Sequence, residues 1–235
     1  MAKVQVIMTS FNRPQIVQQA IQTVLNQTLT DFSLCVMDNS SENLWPKMNE
    51  VYLNYAKSDP RIKVDHTHVE NEDRYRQWWP DIVTIKALFG PLSMNEPYVV
   101  FATNDGLMMP NKLEVLSNFL DAHQEAGFVS GVLEIIRDNG AVVTKIGGRT
   151  FNGGACNFDW SQPMWRRSLL SKIYPKEGLQ QFGMGCMDIT LFNLATPFTK
   201  AYGIPVTLDK QYARHRGMWI TAFWRERALR GELME

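Results

Sequence analysis

Polar side chains that could bind a phosphate or a metal ion follow three apolar segments of the chain. They are Thr9–Arg13, Asp38–Ser41 and the dipeptide Asn104-Asp105. Hard divalent cations prefer oxygen ligands, commonly one or two carboxylates together with phosphate oxygens. Because Asp105 directly follows a segment with the composition of a buried strand, its carboxylate suits such a site. A plain turn is the alternative interpretation of Asn104-Asp105-Gly106.

The elements that position these residues begin with a strand, a helix and a second strand. Lys3–Met8 and Phe32–Met37 are short apolar runs rich in Val, Leu and Ile, and Ile16 to Leu25 has apolar residues at helical spacing. A strand, helix and strand within so short a length form a βαβ unit, which requires a parallel strand pair and a right-handed crossover. Ligands of such sheets bind beyond the carboxyl ends of the strands, where Thr9–Arg13 and Asp38–Ser41 are expected to lie.

The rest of the chain continues the alternation of helices and strands. We therefore predict a Rossmann-like α/β fold with a mixed, mostly parallel central sheet flanked by helices. The further predicted helices are Trp45–Lys57, Ile82–Leu92, Met109–Ala126, Ser168–Ile173, Asp188–Ala195 and Met218–Leu229, and Gly127 is expected to end the third of them. The further predicted strands are Arg61–Val64, Tyr98–Ala102, Phe128–Ile136 and Val142–Ile146.

Length and composition favour one domain in a reducing compartment. The chain has 235 residues, of which 45% are hydrophobic, enough for one large core. It has no run of about 18 apolar residues that would span a membrane, and its first residues are typical of a strand rather than of a signal peptide. Cys35, Cys156 and Cys186 are too widely separated for a disulfide framework or a zinc site. A cytoplasmic location is the expectation.

Charge is unevenly distributed along the chain. Residues 1–150 contain 13 Lys and Arg against 17 Asp and Glu, whereas residues 151–235 contain 11 against 7. The basic end, which includes Arg214, Arg216 and Arg225, is either a solvated helix or a surface that faces phosphates or an anionic membrane.

Four segments resemble the family 2 inverting glycosyltransferases with the GT-A fold. Val4–Pro14 is similar to their first strand and nucleotide loop, and Val24–Phe32 to the end of the first helix and the entry to the second strand. Asp38–Ser41 stands where the family has an Asp-Asp-Gly-Ser-like turn. Phe101–Pro110 resembles the Asp-x-Asp region and the proline that follows it.

The resemblance implies transfer of a sugar from a nucleoside-diphosphate sugar, with a UDP-sugar as the first expectation, to an acceptor hydroxyl with inversion. It implies that Asp105 is a ligand of Mg²⁺ or Mn²⁺ and that His215 lies near the metal and the diphosphate, with a surface histidine as the alternative for His215. At the preceding acidic position this sequence has Asn104, which leaves fewer negative charges for the metal. The departing diphosphate needs cations to absorb its charge.

The resemblance also implies a nucleotide pocket. Asp38 is expected to hydrogen-bond the base or the ribose, and Phe11 to lie against the base. Thr9, Asn12, Arg13 and Asn104 line the same pocket in this interpretation. Arg74 and Arg76, in a predicted loop, are expected to reach the base or phosphates, since guanidinium groups fit phosphate geometry, or else to be solvated.

An inverting transfer needs a general base that takes the proton of the acceptor hydroxyl. The resemblance implies that this base is a carboxylate just before a late helix, and Asp188 matches that position. A helix cap is the alternative role for Asp188, and the two roles are compatible. Asp159 is the second candidate for the base.

Several alternatives stay open from the sequence. A sugar-phosphate nucleotidyltransferase would have a glycine-rich loop after the first strand, and a dinucleotide dehydrogenase would have G-x-G-x-x-G there, but residues 9–14 contain no glycine. A non-catalytic nucleotide-sugar-binding protein is the third alternative, because Asn39 and Asn104 are neutral where the family is acidic. His66 and His68 are interpreted as structural or solvent-facing. Trp78 and Trp79 are either core residues, which is the commoner role of aromatic pairs, or residues that stack on a sugar ring.

The organisation expected from these observations is a single GT-A domain over residues 1–235. Residues 1–110 would form the nucleotide-binding half and residues 111–235 the acceptor-binding half. The acceptor itself is not indicated: a glycan, a lipid-linked sugar and a modified nucleic acid all fit the composition.

Overall fold

A computed structural model describes residues 2–67, 79–90, 95–148, 159–174 and 187–213, without the side chains of residues 79–83 and 187–189. Its strands are β1 (Val4–Ser10), β2 (Phe32–Asp38), β3 (Ile62–His66), β4 (Tyr98–Thr103), β5 (Gly106–Met108), β6 (Ala126–Ile136), β7 (Val142–Gly147), β8 (Met164–Arg166) and β9 (Lys200–Tyr212). Its helices are α1 (Ile16–Leu25), α2 (Trp45–Ser58), α3 (Trp79–Phe89), α4 (Lys112–Ala122), α5 (Arg167–Ile173) and α6 (Met187–Ala195).

The strands of the described residues form one mixed sheet in the order β3-β2-β1-β4-β8-β6-β9-β5, with β7 paired to β6. β1, β2, β3 and β4 are mutually parallel, whereas β8 is antiparallel to both of its neighbours. β6 and β9 are parallel, and β5 is antiparallel to β9. The predicted α/β class and mostly parallel sheet are confirmed.

Helices cover both faces of the sheet, so the central strands are buried on both sides. All seven residues of β1 and all seven of β2 are buried, as expected for parallel strands between two layers. Successive side chains alternate between two cores: Val4, Val6 and Met8 pack with α1, α2 and α4, while Ile7 packs with α3, α5 and α6. Each fully buried aliphatic side chain of this kind stabilises the fold by about 1.5–3 kcal/mol.

The predicted helix Met109–Ala126 is too long. The structure ends α4 at Ala122, and the backbone N–H of Ala126 closes a turn onto the carbonyl of His123 before β6 begins. Gly127 is therefore a strand residue and not a helix stop. A Cβ at Gly127 would collide with the side chains of Leu169 and Thr199, so this glycine permits close packing of β6 against its neighbours.

Three strands were absent from the sequence-based prediction. β8 and β5 have three residues each, too short for a recognisable period. β9 is long, but it contains Gly203 and Pro205, and its pairing with β6 has three register shifts. The predicted helix Met218–Leu229 lies outside the described residues.

Candidate nucleotide-binding site

The predicted site residues that follow β1, β2 and β4 meet at one edge of the sheet, at a reversal of strand order. The chain passes from β1 outward to β2 and β3, then returns to place β4 on the other side of β1. Thr9 is paired with Met37 of β2 and with Thr103 of β4, so the loops after all three strands leave at the same level. In open α/β sheets, ligands bind in the crevice at such a switch point.

The loop after β1 has an unusual backbone that is anchored to the loop after β2. Asn12 has a φ of 50°, the left-handed region that asparagine tolerates better than most residues. Its backbone N–H donates to Ser40 Oγ at 2.8 Å, and its side-chain Oδ1 accepts from the backbone N–H of Ser41 at 2.9 Å. These bonds fix the direction in which the next residue, Arg13, leaves the loop.

Asp38 is fully buried at the end of β2, with an exposure of 0%. Its carboxylate accepts hydrogen bonds from the backbone N–H and the hydroxyl of Ser40, at 2.7 and 3.1 Å, and from the Tyr52 hydroxyl at 2.6 Å. Burial, and then the adjacent Asp38 charge, raise the pKa of Tyr52, so it remains a donor. The expected contact of Asp38 with a base or ribose stays a prediction, and the structure gives Asp38 the additional role of shaping the pocket wall.

Asn104 connects the loops after β1 and β4. Its Nδ2 donates to Ser10 Oγ and to the carbonyl of Phe11, both at 3.3 Å, and its backbone N–H donates to the carbonyl of Thr9 at 3.0 Å. A carboxylate has no proton to donate and would face the Phe11 carbonyl. The contacts of this side chain thus supply a physical reason for asparagine where the family is acidic.

Asp105 is held from both sides and is 8% exposed. Its Oδ2 accepts from Arg13 Nη1 at 2.7 Å, and its Oδ1 accepts from Gln211 Nε2 at 3.2 Å. Gln211 lies near the end of β9, which no sequence signal identified. The crevice at the switch point therefore contains a carboxylate and a guanidinium in direct contact.

A buried ion pair between Lys112 and Asp209 lies beneath the site, two residues along β9 from Gln211, the partner of Asp105. Lys112, at the first residue of α4, is 0% exposed, and its Nζ lies 2.7 Å from Asp209 Oδ1 and 2.8 Å from the carbonyl of Ser161. Burial raises the pKa of Asp209 to about 6, against the opposing effect of Lys112. Asp209 and Gln211 are two residues apart and share a face of β9.

The two candidates for the general base are placed differently. Asp159 lies in a turn, where its Oδ1 accepts from the backbone N–H and the hydroxyl of Ser161 at 3.1 and 2.7 Å. Since Ser161 also contacts Lys112, Asp159 is tied to the ion pair beneath the site. Asp188 is the second residue of α6, and its side chain lies outside the described part of the chain.

The remaining predicted residues fall into two groups, those that the structure describes and those that lie outside the described part of the chain. The Thr9 hydroxyl donates to the carbonyl of Ala102 at 3.3 Å, and Phe11 is half-buried at the crevice. His66 stacks on Trp45 with ring centroids 3.9 Å apart, and its Nε2 donates to the carbonyl of Ser40 at 2.9 Å, in agreement with a structural role. Arg74, Arg76 and His215 lie outside the described residues, as do His68 and Trp78.

The sheet and the site can be compared with known protein families. Residues 5–73 match glycosyl transferase family 2, and this segment includes nearly all of β1, the whole of β2 with Asp38 at its end, β3, and the loop with Arg13. By this match and by its fold, the chain resembles the family 2 glycosyltransferases with the GT-A fold.

Individual relatives cover the chain more fully. It is 27% identical over 181 residues to Protein CgeD of Bacillus subtilis, covering 75% of this chain and 41% of CgeD. It is 28% identical over 153 residues to an uncharacterized glycosyltransferase of Rickettsia bellii, covering 65% of this chain and 20% of that protein. The chain thus spans less than half the length of these relatives.

Solved structures share the fold at low identity. TarS residues 1–349 of S. aureus in complex with UDP superposes with a TM-score of 0.64 at 16% identity, over 90% of this chain and 60% of that one. The mannosyltransferase PcManGT of Pyrobaculum calidifontis, in complex with GDP-Man and Mn²⁺, gives a TM-score of 0.64 at 16% identity, over 92% of this chain and 58% of that one. None of the described helices combines the length and the apolar composition that a membrane span requires.

Proposed function

We propose that this chain transfers a sugar from a nucleoside-diphosphate sugar to an acceptor hydroxyl and inverts the anomeric centre. The observation that carries the proposal is the position of Arg13 and Asp105 on the two sides of the β1–β4 switch point, where α/β sheets bind their ligands. A guanidinium matches the geometry of phosphate oxygens. Structural neighbours of the same fold bind UDP or GDP-Man.

The nucleoside half of the donor would lie over the loops after β1 and β2. Phe11 offers an aromatic face for the base, and Asp38 is the candidate acceptor for hydrogen bonds from the base or ribose. An ionised carboxylate has about four lone-pair directions, and the structure already uses three of them on Asp38. The remaining one suits a single polar contact, and UDP is the nucleotide that we would test first.

The donor set suits a divalent cation when a diphosphate is also present. The described residues include no cluster of three or more His, Cys, Asp or Glu that could hold a metal ion. Mg²⁺ and similar ions are commonly held by one or two carboxylates plus phosphate oxygens, and Asp105 is the carboxylate at the crevice. We therefore propose Asp105, with His215 as a further candidate, for Mg²⁺ or Mn²⁺. Such a cation would offset the charge that develops on the departing diphosphate.

The acceptor hydroxyl must lose its proton as it attacks the anomeric carbon. A carboxylate within hydrogen-bond reach performs this step, and the bond from the anomeric carbon to the diphosphate oxygen breaks as the new glycosidic bond forms. Asp188 is our first candidate for this base, because it lies in the first turn of the late helix α6. Asp159 is the second, because its turn is fixed to the ion pair beneath the site.

Calorimetric titration with UDP, GDP and TDP, each with and without Mn²⁺, tests the proposal. We expect one nucleotide to bind more tightly with Mn²⁺ and the effect of Mn²⁺ to be lost in Asp105→Ala. If none of the three binds under any metal condition, the glycosyltransferase proposal fails.

The side-chain amide of Asn104 donates to Ser10 and to the Phe11 carbonyl and carries no negative charge for a metal. This arrangement also suits a protein that binds nucleotide sugars without catalysis. Hydrolysis of the bound donor would exclude that alternative. Release of pyrophosphate from a nucleoside triphosphate and a sugar phosphate would instead indicate a nucleotidyltransferase.

A further inference from the structure

The ion pair between Arg13 and Asp105 occupies the carboxylate that is expected to hold the cation. Arg13 Nη1 lies 2.7 Å from Asp105 Oδ2, with side-chain exposures of 22% and 9%. The other oxygen, Oδ1, is held by Gln211. A divalent ion cannot approach Oδ2 closely while the guanidinium remains there, because two cations at one oxygen repel each other in a partly buried site.

The charges at the crevice lead to the same conclusion. Arg13 and Asp105 together have no net charge, and Asn104 adds none. Two acidic residues would carry a net negative charge that attracts a divalent ion before any nucleotide arrives, whereas this pair has no net charge to do so. When a diphosphate enters the crevice, it brings the missing negative charge. Its oxygens also match the hydrogen-bonding geometry of the guanidinium.

We propose that Arg13 is shared between Asp105 and the donor diphosphate. In the nucleotide-free protein it blocks divalent cations from Asp105, and in the complex it binds the diphosphate and leaves Asp105 to the cation. The inference rests on the proposed function, since it takes a nucleoside diphosphate as the ligand. It adds that the cation binds after, or together with, the nucleotide.

The backbone around Arg13 suits this role. The left-handed conformation of Asn12 is held by Ser40 and Ser41, so the root of the Arg13 side chain is fixed. The Arg13 carbonyl accepts from the backbone N–H of Val17 at 3.0 Å, just before α1. With its backbone anchored at both sides, the long side chain can exchange partners without movement of the loop.

The test is the pair of affinities measured in wild type and Arg13→Gln. Binding of Mn²⁺ alone is followed by the EPR signal of unbound Mn²⁺, and binding of UDP, GDP or TDP in EDTA is followed by calorimetry. We expect Arg13→Gln to bind Mn²⁺ at least about fivefold more tightly and the nucleotide at least about fivefold more weakly, the lower end of typical coupling between two sites. A residue that merely supported the fold would weaken both.

Two further variants complete the experiment. Arg13→Lys keeps the charge and should stay close to wild type in Mn²⁺ affinity, which guards against a general effect of substitution in this loop. Arg61→Gln is the matched control: Arg61 also pairs with an aspartate, Asp59, at 2.6 Å, but before β3 at the opposite edge of the sheet. It should change neither affinity.

The possible results separate the two proposals. If Arg13→Gln does not tighten Mn²⁺ binding, the shared role of Arg13 is overturned, even if nucleotides bind. If no nucleotide binds wild type with or without Mn²⁺, the proposed function fails, and the donor-sharing role of Arg13 fails with it. Opposite changes of the two affinities would support both.

Discussion

Replacing Lys112 by methionine should destabilise the protein strongly. The substitution keeps the unbranched apolar stem and removes the ammonium that lies 2.7 Å from Asp209. Lys112 is 0% and Asp209 5% exposed, so water cannot compensate the carboxylate that remains. Breaking a buried pair on one side costs about 3–5 kcal/mol. In a domain of this size each kcal/mol lowers Tm by about 2–4 °C, so a fall of about 6–20 °C is expected.

The assay is urea unfolding at pH 8, with the midpoint and slope measured for wild type and Lys112→Met. The matched control is Lys3→Met, because Lys3 lies at the same 2.7 Å from Asp121 but with side-chain exposures of 25% and 51%. Exposed pairs contribute about 0–1 kcal/mol. The two ion pairs have equal N–O distances, so the difference between the two variants isolates the effect of burial.

The pH dependence of the stability lost in Lys112→Met tests whether the unpaired charge of Asp209 causes the loss. At pH 5 a larger fraction of Asp209 is protonated than at pH 8, so the lost ammonium leaves less uncompensated charge and the destabilisation should shrink. A double variant, Lys112→Met with Asp209→Val, should regain most of the stability, since apolar replacements of buried pairs are commonly neutral or stabilising. A loss below about 1 kcal/mol at pH 8, equal to that of Lys3→Met, would refute the reasoning.

Three other predictions concern the site. Asp188→Asn should abolish sugar transfer but leave nucleotide affinity unchanged, as measured by product formation and calorimetry; substantial remaining activity would move the general base to Asp159. Asn104→Asp should lower the free energy of unfolding by about 1–3 kcal/mol, because the Phe11 carbonyl loses its donor and faces a carboxylate; an unchanged urea midpoint would contradict this. Because burial raises the pKa of Asp209 from its ordinary 3.8 to about 6, the native protein binds more protons than the unfolded chain between these values. The advantage of wild type over Asp209→Asn should therefore fall by about 2 kcal/mol from pH 4 to pH 7 in parallel unfolding titrations, and a constant difference would show an ordinary pKa.

The amino-terminal part of the fold was predictable because its signals are local. β1 and β2 are continuous apolar runs, since both of their faces are covered, and α1 has its buried residues Val17, Ala20, Ile21 and Val24 at helical spacing. The βαβ rules then determine the parallel pairing and the edge where ligands bind. The position of Asp38 and Asp105 at that edge follows from these rules alone.

The second half of the sheet depends on pairings that have no local signal. β8 has three residues, yet it connects β4 to β6 and reverses the strand direction. Its position is set by burial of Met164 and Trp165, both 0% exposed, between the two halves. Such a strand is stabilised by its neighbours rather than by its own propensity, so a single sequence does not reveal it.

The partners of Asp105 show the same limit at the level of the site. Arg13 was predicted to line the nucleotide pocket, but its contact with Asp105 spans 92 residues, and that of Gln211 spans 106. The second contact requires β9, whose glycine, proline and register shifts conceal it in the sequence. A carboxylate read as a metal ligand from its motif is therefore, in the folded chain, already paired with a cation of the protein. The motif predicts which residue faces the crevice, whereas the charge that a ligand meets there is determined by long-range pairing.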